Sequence, residues 1–136
     1  MTNQEKFHLL VGETIMFCQC IEHDIKVLYA GMLKGEFTRN FASVNRKGLG
    51  TVVKLLSDLD NSDGNPYLGC ADYKLLADIA TIRNHWAHQG YVEYIYETDK
   101  ADAAFTRQYN RLNNDHNRLQ KLYRLVEQVR INFFRN

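Results

Sequence analysis

Residues 2–33 read TNQEKFHLLVGETIMFCQCIEHDIKVLYAGML, and their spacing decides the fold class. Phe7, Leu10, Val11, Thr14, Phe17, Cys18, Ile21, Ile25, Leu28 and Met32 recur three and four residues apart, the period that lines one face of a helix. Thr2 and Glu5 stand at the spacing of a capping box, in which each side chain accepts from the other's backbone N–H. Gly31 and Gly35 weaken the far end, so this helix is predicted to stop near Leu33.

Beyond it the period lapses. Residues Glu36 to Gly50, with their glycine, asparagine, Arg46 and Lys47, read as a loop. A shorter second helix is predicted over Leu49–Leu59 on Val52, Val53, Leu55, Leu56 and Leu59. The stretch Asn61-Ser-Asp-Gly-Asn-Pro66 is a turn. A third helix starts at Gly69 or Asp72 and runs to His88, with Leu75, Ile79, Ile82 and Trp86 as its apolar stripe. Gly90 falls where a C-terminal glycine cap belongs. The segment Tyr91–Tyr96 reads either as a short strand or as a rigid loop packing Tyr94 and Tyr96 onto the bundle. A last helix spans Ala101–Phe133, repeating Phe105, Tyr109, Leu112, Leu119, Leu122, Tyr123, Val126 and Val129; Asn113, Asn114, Asp115 and His116 interrupt that stripe, and a bend or local exposure is expected there. The expectation is an all-α, up-and-down four-helix bundle with a short irregular or extended segment between helices three and four.

Composition agrees. The 136 residues are 45% apolar and 24% charged with one proline, which suits a single domain, residues 1–136, with its own core. The net charge is only +1, so no global basicity points to nucleic acid. The distribution is less even, because residues 105–136 carry seven Lys/Arg against Asp115 and Glu127. The N-terminal residues lack the order of a signal peptide, and no apolar run reaches the roughly 18 residues that span a bilayer. Cys18, Cys20 and Cys70 form no CxxC pair, and Cys18 and Cys20 diverge on a helix. A cytoplasmic protein with free thiols is expected, with no metal and no cofactor.

Function concentrates in Ile82–Tyr91, Ile-Arg-Asn-His-Trp-Ala-His-Gln-Gly-Tyr. At 100° per residue from Ile79, Ile82 and Trp86 stay on the apolar stripe, Arg83 falls at about 40° on its edge, and Asn84 and His88 fall at about 140° and 180°. Asn84 and His88 therefore point outward, one turn apart, and Trp86 is expected in the core. His85, at about 240°, reads either as plain surface or as a second proton carrier. A permanent cation and a group titrating near neutrality suit chemistry at a phosphodiester. Glu22, His23 and Asp24 are contiguous on the first helix and splay apart, so no joint metal site is expected. Arg39, Arg46, Lys47, Arg107, Arg111 and Arg118 are open to two readings, a solvated surface or contacts to an RNA backbone.

The run Arg83-Asn84-His85-Trp86-Ala87-His88 resembles the R-x(4–6)-H motif of HEPN domains, including the polar residue after the arginine, and it stands late in the third helix. The resemblance implies a compact helical bundle and a metal-independent endoribonuclease that leaves 2′,3′-cyclic phosphate and 5′-hydroxyl ends, in a toxin–antitoxin or phage-defence setting. It implies His88 as proton carrier, Arg83 as stabiliser of phosphorane charge and Asn84 as an orienting group, with His85 and Tyr91 in support. It also implies a homodimer with the site at the interface. The alternative is a non-catalytic HEPN module that binds RNA, nucleotide or a protein partner. Two features depart from the pattern. Members paired with a nucleotidyltransferase antitoxin carry a tyrosine two residues after the histidine, whereas Tyr91 lies three after His88. The position four before the arginine, acidic or amide in some members, is Ile79.

Overall fold

The capping box forms as its spacing predicts: Glu5 N donates to Thr2 Oγ1 and Thr2 N to Glu5 Oε1, both at 3.1 Å. These bonds hold the Glu5 carboxyl below its ordinary range, the backbone N–H of Thr2 contributing most. The structure, a computed structural model, describes residues 1–92 and 101–135, without the side chains of residues 101 and 102. It contains α1 (Asn3–Met32), α2 (Phe37–Asn45), α3 (Leu49–Asp60), α4 (Cys70–His88) and α5 (Ala101–Arg135), and no strand among the described residues. The fold is all-α, and no described helix is long and apolar enough to cross a membrane.

The central element is α1, which packs against all four others. Its contacts fix the directions. Phe7 meets Phe105 and Tyr109, Glu13 meets His116, and Asp24 meets Arg130, so α5 runs parallel to α1. Trp86 near the end of α4 meets Phe7 near the start of α1, so α4 runs antiparallel. The core draws on α1 (Phe7, Phe17, Ile21, Ile25, Leu28), α3 (Val52, Leu56), α4 (Leu76, Ile79, Trp86) and α5 (Leu112, Leu119, Val126), all fully or nearly buried. Apolar surface removed from water is the main favourable term here.

Four expectations need correction. Five helices stand among the described residues, not four, because Phe37–Asn45 is helical where a loop was expected. Phe37, Phe41 and Val44 recur at helical spacing there. Asn40 ties the helix down, its Nδ2 donating to Ala30 O at 3.1 Å and Leu33 O at 3.0 Å at the end of α1. Of the residues that interrupt the last stripe, Asn114 is exposed, but Asp115 and His116 are buried in a continuous α5, because α4 and α1 supply their partners. His85 is buried rather than on the surface. Gly90 does not close α4 with a left-handed residue, since among the described residues only Gly35 and Gly64 have positive φ. Gly90 instead presses on Trp86, whose Cε3 would lie 2.5 Å from any added Cβ. Of the segment Tyr91–Tyr96, Tyr91 follows α4 in a turn, Val92 is helical rather than extended, and residues 93–96 lie outside the described residues.

The turn between α3 and α4 is held by buried Asp60, which accepts from Tyr67 N at 2.9 Å, Leu68 N at 3.1 Å and the Tyr73 hydroxyl at 2.6 Å. Burial first, and the carboxylate second, push the Tyr73 phenol far up. The entry of α4 is thereby set against α3, which fixes how its far end presents His88.

Candidate functional site

The C-terminal half of α4 sorts its polar residues into three directions. Towards α1, Arg83 Nη1 donates to Glu22 Oε2 at 2.6 Å, with 31% of the arginine side chain and 22% of the glutamate exposed. Glu22 also lies 3.8 Å from Lys26 Nζ, which itself donates to Asn45 O at 2.9 Å. The Arg83 charge is therefore met from the flank of the bundle by a carboxylate 61 residues away in sequence. Beneath it, burial pushes the Cys18 thiol up to about 12, and the Arg83 cation only partly opposes that.

Outward stand Asn84 and His88, both exposed and one turn apart. Ala87 and Thr81 are exposed beside them, so this face is built of short side chains around one imidazole.

Towards α5, His85 and Trp86 are buried and make long-range ties. His85 Nε2 lies 3.3 Å from Gln108 Oε1, and the imidazole meets the indole edge to face at 4.6 Å. The Trp86 Nε1–H donates to Asp115 Oδ2 at 2.9 Å, while Arg118 Nη1 lies 3.7 Å from the other Asp115 oxygen. A buried indole N–H needs such an acceptor, because leaving it unpaired costs about 1–3 kcal/mol. Above the same ring stands Arg111, its Cζ 6.0 Å from the centroid, within cation–π range. Arg111 is exposed and forms no ion pair among the described residues.

Thr81, Asn84, His85, Gln89 and Arg111 line one groove of about 280 Å³ between α4 and α5. The structure thus joins Asn84 and His85 with Arg111, and leaves Arg83 on the opposite flank of the helix. Tyr91 is half-buried: its ring stacks on His8 at 5.3 Å and its hydroxyl lies 2.7 Å from His8 Nδ1. The remaining cations divide by side. Arg39, Arg46 and Lys47 are exposed on and just after α2, beside the Arg83 flank. Arg107 and Arg118 are exposed on α5 with Arg111.

Sequence reasoning missed the partners that orient these groups: Glu22 for Arg83, Gln108 for His85 and Asp115 for Trp86. The interruption of the α5 stripe was the one signal for Asp115, since a carboxylate inside an apolar period is either exposed or matched to a buried donor. Nothing in the sequence pairs Glu22 with Arg83. Glu22, His23 and Asp24 splay as expected; Asp24 lies 3.2 Å from Arg130, and burial raises its carboxyl above the ordinary range. No cluster of three or more metal-ligating side chains occurs among the described residues. Compared with known proteins, the chain matches no family model, no curated protein and no solved structure.

Proposed function

We propose that this chain is a metal-independent endoribonuclease of the HEPN kind, with the outward face of α4 as its active face. The observation that carries the reading is exposed Asn84 on a groove whose far wall holds the cation Arg111, with exposed His88 one helical turn on from Asn84. An amide and a cation on one open groove, with a proton carrier one helical turn away, are the groups a phosphodiester needs. His88 takes the proton of a ribose 2′-hydroxyl, and the freed oxygen bonds to the adjacent phosphorus. The P–O5′ bond breaks and the departing oxygen accepts a proton, leaving a 2′,3′-cyclic phosphate and a 5′-hydroxyl. Asn84 orients the imidazole or donates to a phosphate oxygen.

The step uses one base and one acid, and this face of α4 exposes a single imidazole. A second copy of the chain, packed across a two-fold axis on the short side chains Thr81 and Ala87, supplies the other. The ion pair of Arg83 with Glu22 favours a second reading, a non-catalytic module that binds RNA, nucleotide or protein, because it satisfies the motif arginine within the fold. On the nuclease reading Arg83 acts as a positioning residue that fastens α4 to α1.

Mixed RNA incubated with the protein in EDTA should yield fragments with 5′-hydroxyl and cyclic phosphate ends, and His88→Ala should stop the cutting. Undiminished cutting by His88→Ala removes the site. No cutting by the wild type leaves the binding module. Growth arrest on expression, relieved by His88→Ala, would place the enzyme in a toxin–antitoxin or defence setting with an antitoxin or nucleotidyltransferase partner.

A further inference from the structure

The groove beside Asn84 is not isolated. Further along the same α4–α5 seam a second hollow, of about 270 Å³, is walled by Leu75 of α4 and by Arg118, Lys121 and Leu125 of α5. Arg111, Arg118 and Lys121 all project from the exposed side of α5 along this seam. Seven and ten residues of helical rise set Arg118 and Lys121 about 10 and 15 Å from Arg111 along the axis. Arg111 and Lys121 form no ion pair among the described residues, and Arg118 has only the 3.7 Å approach to an Asp115 already bonded to Trp86. On the α4 wall, Asp72 is turned to its own helix start, accepting from Gly69 N at 2.8 Å. Asp78, exposed on α4, is the negative charge that remains nearby.

We infer that the α4–α5 seam is a track for the sugar–phosphate backbone of single-stranded RNA, with Arg111 holding the phosphate beside Asn84 and His88, and Arg118 and Lys121 holding phosphates further along. The inference rests on the nuclease reading for its choice of RNA, and it names the surface that brings the strand to the site. Arg111 stands about 10 Å from Arg118 along the helix axis, too far for one phosphate to bridge, so the row matches successive phosphates better than a single small anion. The hollows, of about 270 and 280 Å³, are each the size of one nucleotide-sized group. Arg111 is held over the Trp86 ring, so its planar fork is already oriented when the strand arrives.

A 2′-O-methyl oligoribonucleotide, which cannot be cleaved, separates binding from cutting. Its affinity is measured by fluorescence anisotropy over a series of salt concentrations, for the wild type, for the seam variant Arg111→Ala/Arg118→Ala/Lys121→Ala, and for the control variant Arg39→Ala/Arg46→Ala/Lys47→Ala. All six side chains are exposed, and circular dichroism verifies that each variant is folded. The seam variant should lose affinity at least about tenfold at low salt, and its log–log salt slope should shrink by about 2, from three lost contacts at about 0.7 each. The control should bind like the wild type. Trp86 is the one tryptophan, so its fluorescence reports on Arg111; it should change saturably on binding, and Arg111→Ala should abolish that change.

The inference is overturned if the wild type does not bind, if the seam variant keeps the wild-type slope, or if the loss falls on the control variant instead. Polyglutamate competing as well as the oligonucleotide would overturn the choice of RNA in favour of an acidic peptide. Binding through the seam without cleavage of natural RNA keeps the track and drops the nuclease. Cleavage that persists in the seam variant drops the track and Arg111's part in the cutting, and leaves a nuclease that rests on His88 and Asn84.

Discussion

Two arginines flank the outward face of α4, and the structure treats them oppositely. Arg83, on the α1 side, belongs to the motif and is neutralised by Glu22 at 2.6 Å. Arg111, on the α5 side, belongs to no motif, stands over an uncharged indole and faces a groove. An arginine that already holds a carboxylate has less to offer a phosphate than one that stands over a ring face and forms no ion pair among the described residues. The availability of a cation is thus a tertiary property, decided by what the neighbouring helix places opposite it.

The severest way to break this contrast is to remove the floor under Arg111. Trp86 is 1% exposed and holds Phe7, His85, Asp115 and Gly90 around it, so Trp86→Ala should destabilise the fold by about 3–5 kcal/mol in urea unfolding. A loss below about 1 kcal/mol would show that the α4–α5 packing does not depend on the indole.

Next in size is the effect of the two arginines on cleavage. Arg111→Ala should lower the initial rate in EDTA by about 100- to 1,000-fold, the scale of a lost donor to developing phosphate charge, with the melting temperature nearly unchanged. Arg83→Ala should act mainly through stability. Cleavage lost on Arg83→Ala with no change in melting, and kept on Arg111→Ala, would reverse the two roles.

A double-mutant cycle on Arg83 and Glu22 sharpens the other side. Both partners retain solvent contact, so their coupling should be only about 1 kcal/mol, and it should weaken with added salt. A coupling indistinguishable from zero would show that Glu22 does not hold Arg83 and would remove the contrast between the two arginines.

A last effect, confined to alkaline pH, concerns Cys18, buried beneath Arg83. Burial raises its thiol in the folded state from its ordinary 9.0 to about 12. The sign follows: the folded protein keeps this proton over that window while the unfolded chain loses it, so stability falls as pH rises from about 9 towards 12. Cys18→Ala should flatten that alkaline fall, measured by urea unfolding at a series of pH values. At neutral pH a thiol reagent should label exposed Cys70 promptly and Cys18 only on unfolding.

Much of this was legible in advance, for a physical reason. The long α1, the break at residues 61–66, the boundaries of α3 and α4 and the outward pair Asn84 and His88 all follow from helical periodicity, which is local. The same periodicity was present in Phe37, Phe41 and Val44 but was outweighed by the flanking glycines and charges. What the local pattern leaves out is the tertiary support: Asn40 bonded to the end of α1 and Val44 buried in the core. Asp115 and His116 looked like an interruption because a carboxylate and an imidazole inside an apolar stripe lack partners on their own helix.

By itself, then, the sequence determined that the chain is helical, where its main helices run and which way Asn84, Trp86 and His88 face, because a helix's geometry is set by its own backbone. Tertiary structure decided the rest: that His85 is buried, that Arg83 is spent on Glu22, and that Arg111 comes to stand beside Asn84. Those outcomes depend on charges and donors brought together from residues 22 to 83 and from 84 to 111, and no local period encodes such pairings.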